Sequence, residues 1–347
     1  MATADYWSSA DLKAIDFGGL INEDVMQEIM DISSISLPFT SSFGSGSVSN
    51  SYYEWTVDQL ADPDVTNANV DGNDTQDRND ATAGTRVGNH AQISTKNVIV
   101  TTRARQSDSI GTSDEMAKQV MRRSEELRRD VEAIMLTEQG SQADNGDATP
   151  GLSAGLSAFL ETNTDFGVGG VDGGFSSGVV SGTSPGTTRG LTETAVRDMA
   201  QKVWEEGGDP TKLMSSPNCI RELSNYMFTS SARIATLTSE TTQSMSPSTA
   251  KGAVNYFLTD FDVILEMIPN RLYQPVVATP GSRNVTVFIY DPNYLQQAFL
   301  HGYRVEPLSK TGLADRRQMA VDWGLKVLNE KAHGAIRDID DEIAVTL

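Results

Sequence analysis

Residues 112–140 read TSDEMAKQVMRRSEELRRDVEAIMLTEQG. Thr112 and Glu115 form an S/T-x-x-E capping box, and Met116, Val120, Leu127, Val131, Ile134 and Met135 fall on one side at helical spacing. Lys118, Arg122, Arg123, Arg128 and Arg129 occupy the other face among Glu125, Glu126 and Asp130, and Gly140 supplies the stop. The spacing predicts a helix of about 25 residues, close to 40 Å at 1.5 Å per residue, long enough to run across a domain.

Upstream the chain is sparse in apolar residues. Leu20, Ile21, Val25, Met26, Ile29 and Met30 suggest a short amphipathic helix, and a Ser/Gly-rich run follows from Ser41 to Ser51, so residues 1–50 read as an extended arm. Tyr53, Trp55 and Val57 alternate with Glu54, Thr56 and Asp58 as in a half-buried strand. Asp, Asn and Thr dominate from Leu60 to Gly84, and a second extended stretch, Ile93–Thr102, holds Val98, Ile99 and Val100. Two strands joined by so long a polar excursion make a hairpin that buries too little to offset its ordering entropy, so it is either mobile or docked on a partner.

Downstream, 141–190 reads mostly as loop with one short helix near Leu152, Leu156, Phe159 and Leu160. A helix opens at Thr192, with Val196, Met199, Ala200, Val203 and Trp204 on one stripe and Gly207-Gly208 at its end. Another starts at Ser216-Pro217 and runs to about Phe228. Val263–Ile268, Val285–Tyr290 and the alternating Val321–Val327 read as strands. Helices and strands come in blocks without a βαβ rhythm, which indicates a mixed α+β fold.

The 347 residues carry 27 Lys+Arg against 47 Asp+Glu, a formal net charge of −20. A protein that grips phosphate backbones needs a basic surface, so nucleic-acid binding is a poor first reading. One cysteine forms no intrachain disulfide and no thiolate zinc site, and the chain fits a reducing compartment. No stretch has the length and apolarity of a signal peptide or a membrane span, so no membrane partner is expected.

Catalytic motifs are few. Gly151-Leu152-Ser153-Ala154-Gly155 matches G-x-S-x-G and makes a serine hydrolase built on Ser153, with His301 or His333 as base, the alternative reading; its loop context lacks the strand that motif requires. Asn67, Asn69, Asp71 and Gly72 imitate a calcium loop whose twelfth position is Arg78, so an EF-hand fails, although Asp62, Asp64, Asp71, Asp74, Asp77 and Asp80 leave a calcium-binding adhesin as a third reading. Cys219 reads as a buried structural thiol. No catalytic residue, cofactor site or metal site is expected.

Peripheral pieces that need neighbours point to self-assembly. Ser124–Ala133 resembles the long-helix segment of a branch of tailed-bacteriophage major capsid proteins. Asp260-Phe261, Ile268-Pro269-Asn270-Arg271, Tyr290-Asp291-Pro292-Asn293-Tyr294-Leu295, Glu306–Gly312 and Asn329-Glu330-Lys331-Ala332-His333 follow that family's order, so the resemblance spans roughly Ile93 to Ile339. It implies the HK-ninety-seven-like fold: an N-terminal arm (1–50), an extended β-hairpin loop (51–103), a peripheral domain with the spine helix (104–160 and 300–347) and an axial domain (188–299). The Gly-rich stretch 161–187 departs from the pattern and reads as an inserted surface loop.

The resemblance further implies a virion protein, made and assembled in the host cytoplasm, that forms pentamers and hexamers of itself and closes an icosahedral head around double-stranded DNA it does not specifically bind. A portal, a possible decoration protein and a separate scaffolding protein are the other partners; the last follows because the chain starts directly with the arm. Some relatives cross-link through a loop lysine, but here Lys96 lies only near the base of the loop and its tip is acidic and free of lysine, so locking is expected to be non-covalent. The expected subunit interface sets Tyr53, Trp55 and Val57 of one copy on the helix of the next, near Met116, Val120 and Leu127, and much of the acidic charge is expected outside or between subunits.

Overall fold

The computed structural model describes residues 36–60, 63, 65–66, 68, 70–72, 84–107, 114–229, 255–273, 276–279 and 282–345. The helix expected at 21–30, the cap Thr112 and most of the acidic stretch 61–83 lie outside the described residues. In chain order the strands are β1 (Gly44–Ser47), β2 (Tyr52–Val57), β3 (Thr85–His90), β4 (Gln92–Thr101), β5 (Thr164–Asp165), β6 (Gly174–Ser176), β7 (Val179–Ser181), β8 (Lys212–Ser215), β9 (Tyr256–Leu258), β10 (Ile264–Pro269), β11 (Val276–Thr279), β12 (Ser282–Tyr290), β13 (Leu295–Leu308), β14 (Ala314–Val327) and β15 (His333–Ile339). The helices are α1 (Thr102–Gln106), α2 (Glu115–Met135), α3 (Leu156–Phe159), α4 (Glu193–Glu205) and α5 (Pro217–Thr229).

The long helix forms where the stripe predicts it, but shorter. Asp114 is its N-cap, accepting from Met116 N at 3.1 Å, so the helix has 21 residues and Glu115 sits in its first turn beside the positive end of the helix dipole. Met116, Leu127, Val131 and Met135 are buried, and Val120 and Ile134 pack against the same core. Each fully buried Leu or Met contributes roughly 1.5–3 kcal/mol, which is what holds this helix on the sheet beneath it.

That sheet has four strands in the order β1-β13-β14-β4. β4 is antiparallel to β14 with Lys96 opposite Met319, and Lys96 Nζ reaches Asp130 on α2 at 2.6 Å. The hairpin differs from expectation. β2 pairs with β3, Trp55 opposite Val87, while the stretch expected to close the hairpin, Ile93–Thr102, turns away as β4. His90–Gln92 is therefore a corner between two sheets, because β4 finds a 14-residue partner strand and β2 offers only six.

The second sheet runs β5-β15-β12-β8-β10-β9, with β11 added on β12. α4 starts at Thr192, whose hydroxyl accepts from Ala195 N at 3.1 Å, and Ser216 Oγ accepts from Cys219 N at the start of α5. Val196, Met199, Ala200 and Val203 are buried against this sheet, but Trp204 is 54% exposed and meets Phe261 instead. The expected division at 300 is corrected by the strands: β13 already belongs to the first sheet from Leu295, and β15 lies at the heart of the second. The return segment 300–347 thus serves both sheets. β12 joins the two cores, with Phe288 and Tyr290 in one and Val287 and Ile289 in the other, as strand alternation requires.

Candidate assembly interface

The hairpin root is built from side chains that point inward. Tyr53 and Trp55, two residues apart, face the same side of β2 and are 7% and 9% exposed. The Tyr53 hydroxyl donates to Leu325 O at 3.1 Å, and burial pushes its pKa up. Gly324 leaves room for that hydroxyl: a Cβ there would stand 2.0 Å from it. The Trp55 ring lies 6.2 Å from that of Phe159 and 5.7 Å from the Lys326 ammonium.

Beside them sits a buried polar knot. Asn89 Nδ2 donates to Leu325 O at 2.7 Å and to Ser153 Oγ at 3.1 Å, while its carbonyl accepts from Ala154 N at 3.1 Å. Ser153 Oγ also accepts from Leu325 N at 3.2 Å. Ser153 is fully buried, and the partners of its hydroxyl among the described residues are Asn89 and Leu325 rather than a histidine: His333 is buried with its pKa pushed down to about 3 by burial, and His301 faces Asp322 at 3.9 Å across β13 and β14. The G-x-S-x-G match is therefore a rivet between hairpin, loop and β14, and the serine-hydrolase reading is not supported. Gly155 fits because a Cβ would come within 2.1 Å of Thr137 O. Cys219 is likewise buried, its pKa pushed up to about 12 by burial.

The expected interface residues are placed as follows. Tyr53, Trp55, Met116 and Leu127 are all spent in the core of their own chain, which corrects the expectation that they meet across subunits; Val57 and Val120 are half-buried. The inward residues of β2 lie on β14 and α3, and the apolar stripe of α2 lies under β4 and β14, so neither set faces out. The Gly-rich stretch 161–187 is pinned to the second sheet. A bulge between the pairs Val285–Ile339 and Val287–Ile336 places Asp338 at φ +59°, and its carboxylate accepts from Gly167 N, Gly186 N and Asn284 Nδ2. Arg337 Nη1 meets Asp172 at 2.6 Å with only 3% of its side chain exposed.

Sequence reasoning missed the tie at Glu132. This carboxylate, fully buried on α2, accepts from Phe39 N, Thr40 N and Thr40 Oγ1 and from Asn270 Nδ2 at 2.8 Å, joining the chain entering from the arm to the end of β10. Nothing in its spacing among the other acids of the helix marks it; only Asn270, in a quoted family segment, hinted at a fixed polar joint.

The outward surfaces are what remain for other molecules. From His301 to Leu308, β13 is exposed at every residue. The sequence model of the family described as SU10 major capsid protein matches residues 8–340. The chain belongs to this family. Over 102 residues it is 31% identical to the major capsid protein of Escherichia phage Phieco32, an alignment that spans 29% of this chain and 29% of that relative. The capsid structure of cyanophage P-SCSP1u covers 97% of this chain and 99% of its own at TM-score 0.57 and 11% identity. The capsid of Myoviridae phage XM1 gives 92% and 99%, TM-score 0.54 and 13% identity. At such identities the likeness shows the fold alone, and it is the HK-ninety-seven-like capsid fold that the resemblance implied. For a member of the SU10 major capsid protein family the working parts are contact surfaces, and the buried knots described above set their geometry.

Proposed function

We propose that many copies of this chain self-assemble as pentamers and hexamers into an icosahedral phage head around double-stranded DNA. The match to the SU10 major capsid protein family over nearly the whole chain carries this reading. The long exposed end of β13 supports it, since an open strand edge is a liability in a monomer and a resource in an assembly. Negative-stain microscopy of the purified protein or of lysate tests it: closed shells hundreds of ångströms across are the expected result, and monodisperse small particles would overturn it.

The same reading takes the subunits as locked without covalent bonds. Lys96, which lies on β4 rather than in the hairpin, is engaged by Asp130. Particles boiled in detergent should therefore run as single chains, and a ladder of covalent multimers would contradict this. A scaffolding protein, a portal and a possible decoration protein complete the proposed partners. With a net charge of −20, the wall contains DNA without gripping it.

A further inference from the structure

A cavity of about 400 Å³ opens where the hairpin root meets the Gly-rich stretch and the end of β14. This lies within the roughly 300–1,000 Å³ typical of pockets that bind a small molecule. Its floor is apolar, from Val57, Phe159 and Phe175, and its rim carries the carboxylates of Asp58, Glu161 and Glu330. Lys331 also lines it, but Glu206 at 2.8 Å and Gln59 at 3.0 Å already engage that ammonium. Among the described residues no cation pairs with the three rim carboxylates: Asp58 accepts from Gln59 N at 2.9 Å, and Glu330 accepts from the backbone N–H groups of Glu161 and Thr162 and from the Thr162 hydroxyl. The mouth therefore holds uncompensated negative charge above an apolar base.

The chemistry that fits is a cation with an apolar body. A point ion does not suit the site, because among the described residues no three Asp, Glu, His or Cys side chains converge closely enough to hold a metal. An ammonium on a methylene chain does: each head offers three N–H donors to the carboxylates, a phenyl ring attracts a charge that lies over its face, and the methylenes leave water for the floor. The carboxylates come from separate segments, Asp58 after β2, Glu161 after α3 and Glu330 after β14, which calls for more than one head. We propose that the cavity binds a linear aliphatic polyamine, its methylene chain on Val57, Phe159 and Phe175 and its ammonium groups on Asp58, Glu161 and Glu330. The walls belong to the hairpin on one side and to the body of the subunit on the other, so the bound amine holds the hairpin root to its own chain and stabilises the folded state by mass action. The proposal goes beyond the shell reading and does not depend on it.

The test is isothermal titration of the full chain at fixed ionic strength, with spermidine as the first probe. Saturable binding of one spermidine per chain is expected, and magnesium chloride at the same ionic strength should not displace it. A pair of diamines separates the floor from the charge: 1,5-diaminopentane should bind at least about fourfold more tightly than 1,3-diaminopropane, since each buried methylene is worth about that factor. Asp58→Asn and Glu161→Gln should each weaken spermidine about two- to fivefold, the range for exposed ion pairs. Both side chains are exposed, so circular dichroism melts of the two variants without amine should match the parent and separate a lost site from a lost fold. Three results overturn the proposal: no saturable heat with spermidine, full displacement by magnesium, or equal affinity for the two diamines. Unchanged spermidine affinity in both variants overturns it as well, and none of these outcomes bears on whether the chain forms shells.

Discussion

β13 and β14 are two halves of different character joined end to end. In the proximal half Leu295, Ala298, Val321, Trp323, Leu325 and Val327 are buried at 3% or less. In the distal half β13 is exposed at every residue from His301, with Tyr303, Val305 and Leu308 at 40–42% and Leu313 beyond the turn at 85%. The boundary is physical: β1 pairs with β13 only as far as Phe299, and the register with β14 slips between Phe299 and His301 and again before Arg304. The proximal half stabilises the subunit from both strands, whereas in the distal half only β13 is left open: on β14 Met319 is 1% exposed and β4 pairs alongside. Bulges at such a boundary re-aim a strand without ending it.

Substitutions should divide along the same line. Trp323→Ala removes a fully buried indole whose Nε1 donates to Ser94 Oγ at 3.0 Å, and should cost about 3–5 kcal/mol in a denaturant titration. A loss below about 1 kcal/mol would mean the proximal half is not the anchor it appears from burial. Ser153→Ala leaves Asn89 and Leu325 N with unmade bonds at the same end, and should cost about 1–3 kcal/mol while changing no ester hydrolysis.

Acid gives a third probe. Burial holds His333 neutral, with its folded pKa near 3, while the unfolded chain takes up that proton below about 6.5. The unfolded state then binds more protons, so stability should fall as pH drops from about 6.5 toward 3, and His333→Gln should flatten that fall in a melting-temperature series. The smallest effect belongs to the distal half: Leu313→Ser should change stability by less than about 0.5 kcal/mol, and a larger loss would show that the tip serves its own chain.

Local signals were the legible part of the fold. The stripe of α2, the Thr192 cap, the Ser216-Pro217 start and the alternating Val321–Val327 all depend on residues close in sequence, and each appears where its pattern puts it. Pairing was not legible. β3 reads TRVGNH, too polar to announce a strand, and becomes one because β2 lies beside it and Asn89 finds three partners in the core. The stripe residue Trp204 is left 54% exposed at the edge of the buried face, against Phe261. The interface expectation failed for a related reason: an apolar side chain on a thin hairpin looks available in sequence, yet Tyr53 and Trp55 have room beneath β2 only because Gly324 and Phe159 lie there.

Because β12 carries Phe288 and Tyr290 into one core and Val287 and Ile289 into the other, the strand acts as a beam common to both. A push on the distal end of β13 travels along that strand into the first core and reaches the second sheet through the short connections 291–294 and 328–332 and through β12, whose two faces pack in both cores. A load on either sheet is thereby shared with the other through β12.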